Sequence, residues 1–178
     1  MEGVTIARIA SWSAVARQND VLELVNQIQS GEPYNYRPGE IASSKEWFPP
    51  MVDRSDLTLV AYDATDRPVA YCVALPLAGY PDALAVSDGF GMQPSATGYL
   101  AELGVSTAMR RQGIASTLLT RATDARRTEA SAWVVRTLEN NAPAIALYQR
   151  HGFTLVPRAS QIHNGRARVF LIRPNQNR

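Results

Sequence analysis

The chain predicts an α/β fold in which helices pack against the faces of one mixed sheet. Three observations lead there. Of 178 residues, 46% are hydrophobic and 19% charged, enough apolar material for a packed core. The segments run strand, helix, short helix, three strands, helix, strand, helix, two strands. Turn-forming residues separate two apolar runs in the first half, as in an antiparallel hairpin. No internal repeat or linker is visible, so one domain is expected over residues 1–178.

Val4 to Ala10 reads as the first strand. From Ser13 to Ser30 the residues Val15, Val21, Leu22, Leu24, Val25 and Ile28 form one stripe of an amphipathic helix, which Gly31 stops. Within the polar and aromatic stretch Glu32 to Pro50, a short helix is predicted over Ile41 to Trp47, ended by Pro49 and Pro50. Leu57 to Tyr62 and Val69 to Leu75 are strands joined by Asp63 to Pro68. Pro76 to Gly98 is too long for an ordinary hairpin connection, which marks it as a functional or mobile segment. Tyr99 to Val105 is a strand and Gly113 to Arg127 a helix with Ile114, Leu118, Leu119, Ala122 and Ala125 on one face. Ser131 to Leu138 is a strand. Asn141 to Arg150 is a helix with Pro143 near its start, where a missing N–H costs little. Phe153 to Val156 and Arg168 to Ile172 form the last pair, with His163 in a loop before the final strand.

Several function classes are disfavoured. A formal charge of +2, without a basic cluster interleaved with aromatics, gives little reason to expect nucleic acid. The single cysteine, Cys72, allows no internal disulfide, and with only His151 and His163 no metal site is expected. Cys72 lies in an apolar strand and reads as a core residue. No apolar run is long enough to span a bilayer, and the first ten residues lack the apolar core of a signal peptide. A cytoplasmic setting is the expectation.

The chemistry concentrates after the strand that ends in Leu103-Gly104-Val105. A turn carrying Arg110-Arg111-Gln112 leads into Gly113-Ile114-Ala115-Ser116, the start of a helix. The first amides of a helix lack intrahelical acceptors, and the helix dipole makes that end partly positive. Gly113 and Ala115 keep bulk away, so a pyrophosphate could approach the backbone closely. Taken alone, the hexamer could equally be a strand-to-helix connection with arginines in solvent. It lacks the Gly-Lys-Ser/Thr of a Walker A loop and is not a dinucleotide fingerprint.

Arg110 to Ala115 resembles the Arg/Gln-x-x-Gly-x-Gly/Ala motif of the GNAT (GCN5-related) N-acetyltransferases. Downstream, Asn141 to Phe153 resembles the family's Asn-x-x-Ala-x-x-Leu-Tyr-x-x-x-Gly-Phe pattern, most closely as in the ribosomal-protein N-terminal acetyltransferases. Two motifs in the right order are far more specific than either alone. The resemblance is strong over Tyr99 to Val156 and rests on element order elsewhere. It implies a GNAT fold, with a central mixed, mostly antiparallel sheet flanked by helices. Residues 1–98 would be the acceptor side, 99–157 the acetyl-CoA-binding core and 158–178 a C-terminal strand region.

The resemblance also implies roles. Leu103 and Val105 would pair with the pantetheine arm through their backbones, with Gly104 between them also in the cofactor site, and Arg110, Arg111, Gln112, Gly113, Ile114, Ala115 and Ser116 would hold the pyrophosphate. Asn141 would bond the pantetheine, or serve as a helix N-cap, or both. Tyr148 would protonate the departing thiolate, since a phenol is protonated at neutral pH. The alternative is a packing tyrosine. Glu102 is the candidate general base, against the reading of a solvent-facing glutamate. The ribosomal-protein relatives carry a Glu twelve positions before their tyrosine, where this chain has Arg136. That departure suggests a different acceptor. Glu139 is nearby, but strand parity points it away.

The expected reaction is transfer of an acetyl group from acetyl-CoA, the only cosubstrate needed, to a primary amine, with no metal. The amine could belong to a small molecule, a peptide N-terminus or a lysine. A non-catalytic acyl-CoA sensor is the alternative. Tyr80, Asp82, Asp88, Phe90 and Met92 in the Pro76–Gly98 stretch, facing Trp47 and Phe48, are the candidate acceptor pocket. The competing reading is a surface loop or a homodimer contact.

Overall fold

In the computed structural model, residues 3–80, 83, 92–125 and 130–175 are described. The strands are β1 (Thr5–Ile9), β2 (Leu57–Tyr62), β3 (Pro68–Pro76), β4 (Thr97–Val105), β5 (Ala132–Leu138), β6 (Thr154–His163) and β7 (Arg166–Pro174). The helices among the described residues are α1 (Gln18–Ser30), α2 (Ser44–Arg54), α3 (Ile114–Ala125) and α4 (Ala142–Arg150). Arg126 and Arg127, expected to end α3, lie outside the described residues.

Contacts divide the chain into two units, one of Met1–Val73 with Glu102–Ala122, the other of Ala74–Ala101 with Thr123–Arg178. In the first, the strand order is β1-β2-β3-β4, and β1 pairs with β2 antiparallel from Thr5↔Tyr62 to Ile9↔Thr58. In the second the order is β4-β5-β7-β6. There β4 runs parallel to β5 over Thr97↔Ala132 to Leu100↔Val135, while β5–β7 and β6–β7 are antiparallel. One parallel pair among antiparallel ones is the mixed sheet expected.

The predicted stripe of α1 is buried at Val21, Leu22, Leu24, Val25 and Ile28. The helix starts later than the periodicity suggests. A 3-10 turn at Trp12–Ala14 precedes it, and Arg17 adopts a left-handed φ of 55° just before Gln18. Gly31 ends the helix as expected.

The prediction for α2 needs correcting. The helix runs through Pro49 and Pro50 to Arg54 instead of stopping at them. An interior proline costs about 3 kcal/mol. Burial of Phe48, Met51 and Val52 returns about 1.5–3 kcal/mol each, comparable with the cost of the two prolines together, so packing offsets the broken ladder. The final strand pair also differs, being a long hairpin closed at Asn164 (φ 50°) and Gly165 (φ 69°). Both positive φ values suit a tight turn of the Asn-Gly kind. His163 therefore ends β6 and is not in a loop.

Candidate functional site

In the first unit the site residues lie along the second half of β4 and the turn after it. The parallel ladder to β5 covers Leu100↔Val135 and goes no further, although β4 continues to Val105. Ser106 N–H donates to the Val69 carbonyl at 2.8 Å, so β4 stays bound to β3 on its other edge. Glu102 and Leu103 are half-buried, and Gly104 is buried. A Cβ at Gly104 would come 2.7 Å from both Ile28 Cδ1 and Tyr71 Cζ, so this glycine is required by packing of α1 and β3 against β4. This contact is not readable from the sequence, because Ile28 and Tyr71 are distant from Gly104 along the chain.

The turn is held by its own side chains. Arg110 Nε donates to the Val105 carbonyl at 3.3 Å and its Nη2 to the Glu32 carbonyl at 3.4 Å. Gln112 Nε2 donates to the Ala108 carbonyl at 3.5 Å. Arg110 thus ties the turn to the α1–α2 connection, a role the motif does not announce. Arg111 (φ 62°) and Gly113 (φ +82°) both take the left-handed conformation, and both are exposed. No atom lies within 4 Å of where a Gly113 Cβ would stand, so the glycine is needed for its backbone, not for internal space. Helix α3 starts at Ile114, and its first i to i−4 bond runs from Thr117 N–H to the Gly113 carbonyl at 3.0 Å. The preceding amides point out of the helix N-terminus, where the dipole favours an anion. Ile114 is buried and anchors the helix, while Ala115 and Ser116 are half-buried at its first turn.

Tyr71, which the sequence did not single out, is fully buried on β3, with the Phe48 ring 5.1 Å away. Burial first, then the charge of Glu102 and the neighbouring Tyr34, push its pKa well above the ordinary tyrosine value. Phe48 is completely enclosed between Trp12, Trp47 and Tyr71, so it cannot wall an acceptor pocket as expected. Cys72 is buried and its thiol is pushed up to about 12 by desolvation, in keeping with a core residue.

In the second unit Asn141 is the N-cap of α4. Its side-chain oxygen accepts from Ala144 N–H at 3.3 Å, and its Nδ2 donates to Thr137 Oγ1 at 3.2 Å. Both bonds fix the turn after β5. Tyr148 is buried on α4, its ring 5.7 Å from that of Phe153, and Gly152 (φ +81°) lets the chain turn between them. Burial and the neighbouring Arg173 and Arg150 hold His151 below the usual histidine pKa, so it is neutral near pH 7.

Arg136 is half-buried on β5. It donates to Gln161 Oε1 at 2.7 Å and to the Tyr80 hydroxyl at 3.1 Å, and lies 5.4 Å from the Tyr80 ring centre. The Tyr80 ring in turn packs 4.5 Å from that of Tyr99. Leu77 and Ala83 are buried, so the start of the Pro76–Gly98 stretch is anchored in the core. Asp82, Asp88 and Phe90, also expected in an acceptor pocket, lie outside the described residues. Beside the end of β5, Glu139, Asn140 and Arg166 line an open cavity of about 490 Å³. No cluster of three metal-ligating side chains occurs among the described residues. No described helix is long and apolar enough to cross a membrane.

Comparison with known proteins follows the same lines. The sequence profile of the acetyltransferase (GNAT) family matches residues 21–153. No curated protein sequence matches the chain significantly. Among solved structures, a protein from Pyrococcus horikoshii OT3 superposes with a TM-score of 0.72 at 18% identity, covering 98% of this chain and 99% of that one. The ribosomal-protein-S18-alanine N-acetyltransferase from Escherichia coli gives 0.62 at 16% identity, covering 98% and 96%. A GNAT family acetyltransferase from Elizabethkingia anophelis, solved with acetyl-CoA bound, gives 0.61 at 14% identity, covering 98% and 99%. At these identities the likeness is one of fold.

Proposed function

The chain belongs to the GNAT acetyltransferase family and has its fold, a mixed sheet flanked by helices, and from that premise we propose that it transfers an acetyl group from acetyl-CoA to a primary amine. One observation carries the proposal. The β4–β5 ladder stops at Leu100 while β4 runs on through Leu103, Gly104 and Val105 into a turn whose left-handed Gly113 opens helix α3. A strand end that runs past its parallel ladder can pair with the amides of a pantetheine arm, as an added strand would, although the Val105 carbonyl already accepts from Arg110 Nε. The exposed helix N-terminus beyond Gly113 suits the pyrophosphate, with Arg111 supplying charge and Arg110 stiffening the turn.

The chemistry then assigns a role to each side chain. Glu102 takes a proton from the acceptor ammonium, which must be neutral to attack. The amine nitrogen forms a bond to the thioester carbon, and a backbone N–H of β4 stabilises the oxyanion. As the carbon–sulfur bond breaks, Tyr148 gives its phenolic proton to the leaving thiolate, the nitrogen releases its second proton to water to become the neutral amide, and Tyr148 regains a proton from solvent. Asn141 orients the pantetheine arm from the turn it caps. Arg136, where the ribosomal-protein enzymes carry a glutamate, supports an acceptor other than a ribosomal-protein N-terminus. The acetyl-CoA bound in the Elizabethkingia structure supports the choice of donor.

Amine-dependent release of free thiol from acetyl-CoA, screened across small amines, amino acids and peptides with longer acyl-CoAs in parallel, tests the proposal. Turnover with at least one amine is expected. Tight acetyl-CoA binding with no turnover on any amine would favour a sensor.

A further inference from the structure

Tyr71 has 0% of its surface exposed, and its hydroxyl has no hydrogen-bond partner among the described residues. Leaving a buried hydroxyl unpaired costs free energy comparable to a lost hydrogen bond. Phenylalanine would fill the same space without that cost, so the oxygen calls for a reason.

Its surroundings supply one. The bond from Ser106 N–H to the Val69 carbonyl fixes the antiparallel register of β3 and β4, which sets Tyr71 opposite Gly104. A Cβ on Gly104 would stand 2.7 Å from Tyr71 Cζ, the carbon that bears the hydroxyl. Glu102 precedes Gly104 by two residues, so its side chain leaves the same face of β4, at the diagonal distance long side chains bridge. Ile28 of α1 and Phe48 of α2 also approach this point, and neither carries a charge. Tyr34, from the α1–α2 connection, is the remaining titratable group that acts on the phenol.

We infer that Tyr71 is a positioning residue for Glu102, its hydroxyl donating to the carboxylate when that side chain turns toward β3. The inference rests on the reading of Glu102 as the proton acceptor. The ring is wedged between Gly104, Ile28 and Phe48, so the donor is fixed and the half-buried carboxylate adjusts to it. A hydrogen bond to the charged form holds Glu102 ionised and aimed. The phenol cannot compete for the proton, because burial and the adjacent negative charge keep it protonated far above neutral pH.

Tyr71→Phe tests this directly, since it keeps the ring and deletes only the oxygen. The variant should stay folded, as circular dichroism would show. The titration midpoint of the Glu102 carboxyl carbon, followed by ¹³C NMR in the intact protein, should rise by about one pH unit. The acidic limb of kcat/KM should move to higher pH with it. Equal carboxyl midpoints in wild type and Tyr71→Phe would overturn the inference. Glu102→Gln separates it from the underlying reading: loss of the acidic limb supports Glu102 as the base. If the limb survives that change, the base assignment falls, and the carboxyl titration alone still decides the Tyr71 contact.

Discussion

Tyr148 is buried on a nine-residue helix, its ring against Phe153, with the oxygen as the only part that chemistry could use. Removing that oxygen in Tyr148→Phe should lower kcat by roughly 10²-fold and leave acetyl-CoA affinity nearly unchanged. Steady-state kinetics with a calorimetric Kd would check both halves. Cys72 offers a contrasting case, because a buried thiol pushed up to about 12 forms almost no thiolate near neutrality. It should resist iodoacetamide at pH 8 in the folded protein and react once unfolded, as mass spectrometry would read. At this scale the sequence was informative where a residue's partner is local. Asn141 could be read as an N-cap because Ala144 is three residues away. Gly104 against Tyr71, Arg136 on Tyr80 and Gln161, and Arg110 on Glu32 could not be read, since each contact joins distant segments.

Among the elements, α1 and the β2–β3 hairpin were legible because their apolar periodicity and turn chemistry agree. Asp63 shows how well the turn is specified. It accepts from Thr65 N–H, Thr65 Oγ1 and Arg67 N–H, and these bonds hold its carboxyl below the usual aspartate range. The depressed value means that its contribution is present above the unfolded-state pKa and lost as pH falls through the folded one. Asp63→Asn should therefore flatten part of the loss of melting temperature between neutral and acid pH, although the site is exposed and the effect small. Where structure and expectation differ, tertiary packing overrides a strong local signal, as in α2, or a tight turn at Asn164-Gly165 extends the flanking strands. Gly104→Ala probes the joint between β4, β3 and α1. Its Cβ would collide with Tyr71 and Ile28, so unfolding stability should drop by about 1–3 kcal/mol, measurable by urea denaturation.

For the molecule as a whole, the two motifs resemble those of the GNAT family, and the family model that matches residues 21–153 shows it. The acceptor side was not legible, and the structure narrows it in part. Phe48 is removed from it by burial, and Leu77, Tyr80 and Ala83 are tied into the second unit. Replacing the whole 77–96 stretch would therefore strip core contacts at Leu77 and Ala83, and single changes are the better probe. Ligand binding to the folded state raises stability by RT ln(1 + [L]/Kd), about 2.7 kcal/mol at a hundredfold excess over Kd. We propose that this gain arises at the turn between β4 and α3. Calorimetric titration of acetyl-CoA into wild type and Gly113→Glu, with the circular dichroism of both compared, tests it most directly. A Kd of roughly micromolar to millimolar for the wild type, lost in a folded Gly113→Glu, is the predicted result. Equal affinity in the two proteins would contradict it and place the phosphate site elsewhere.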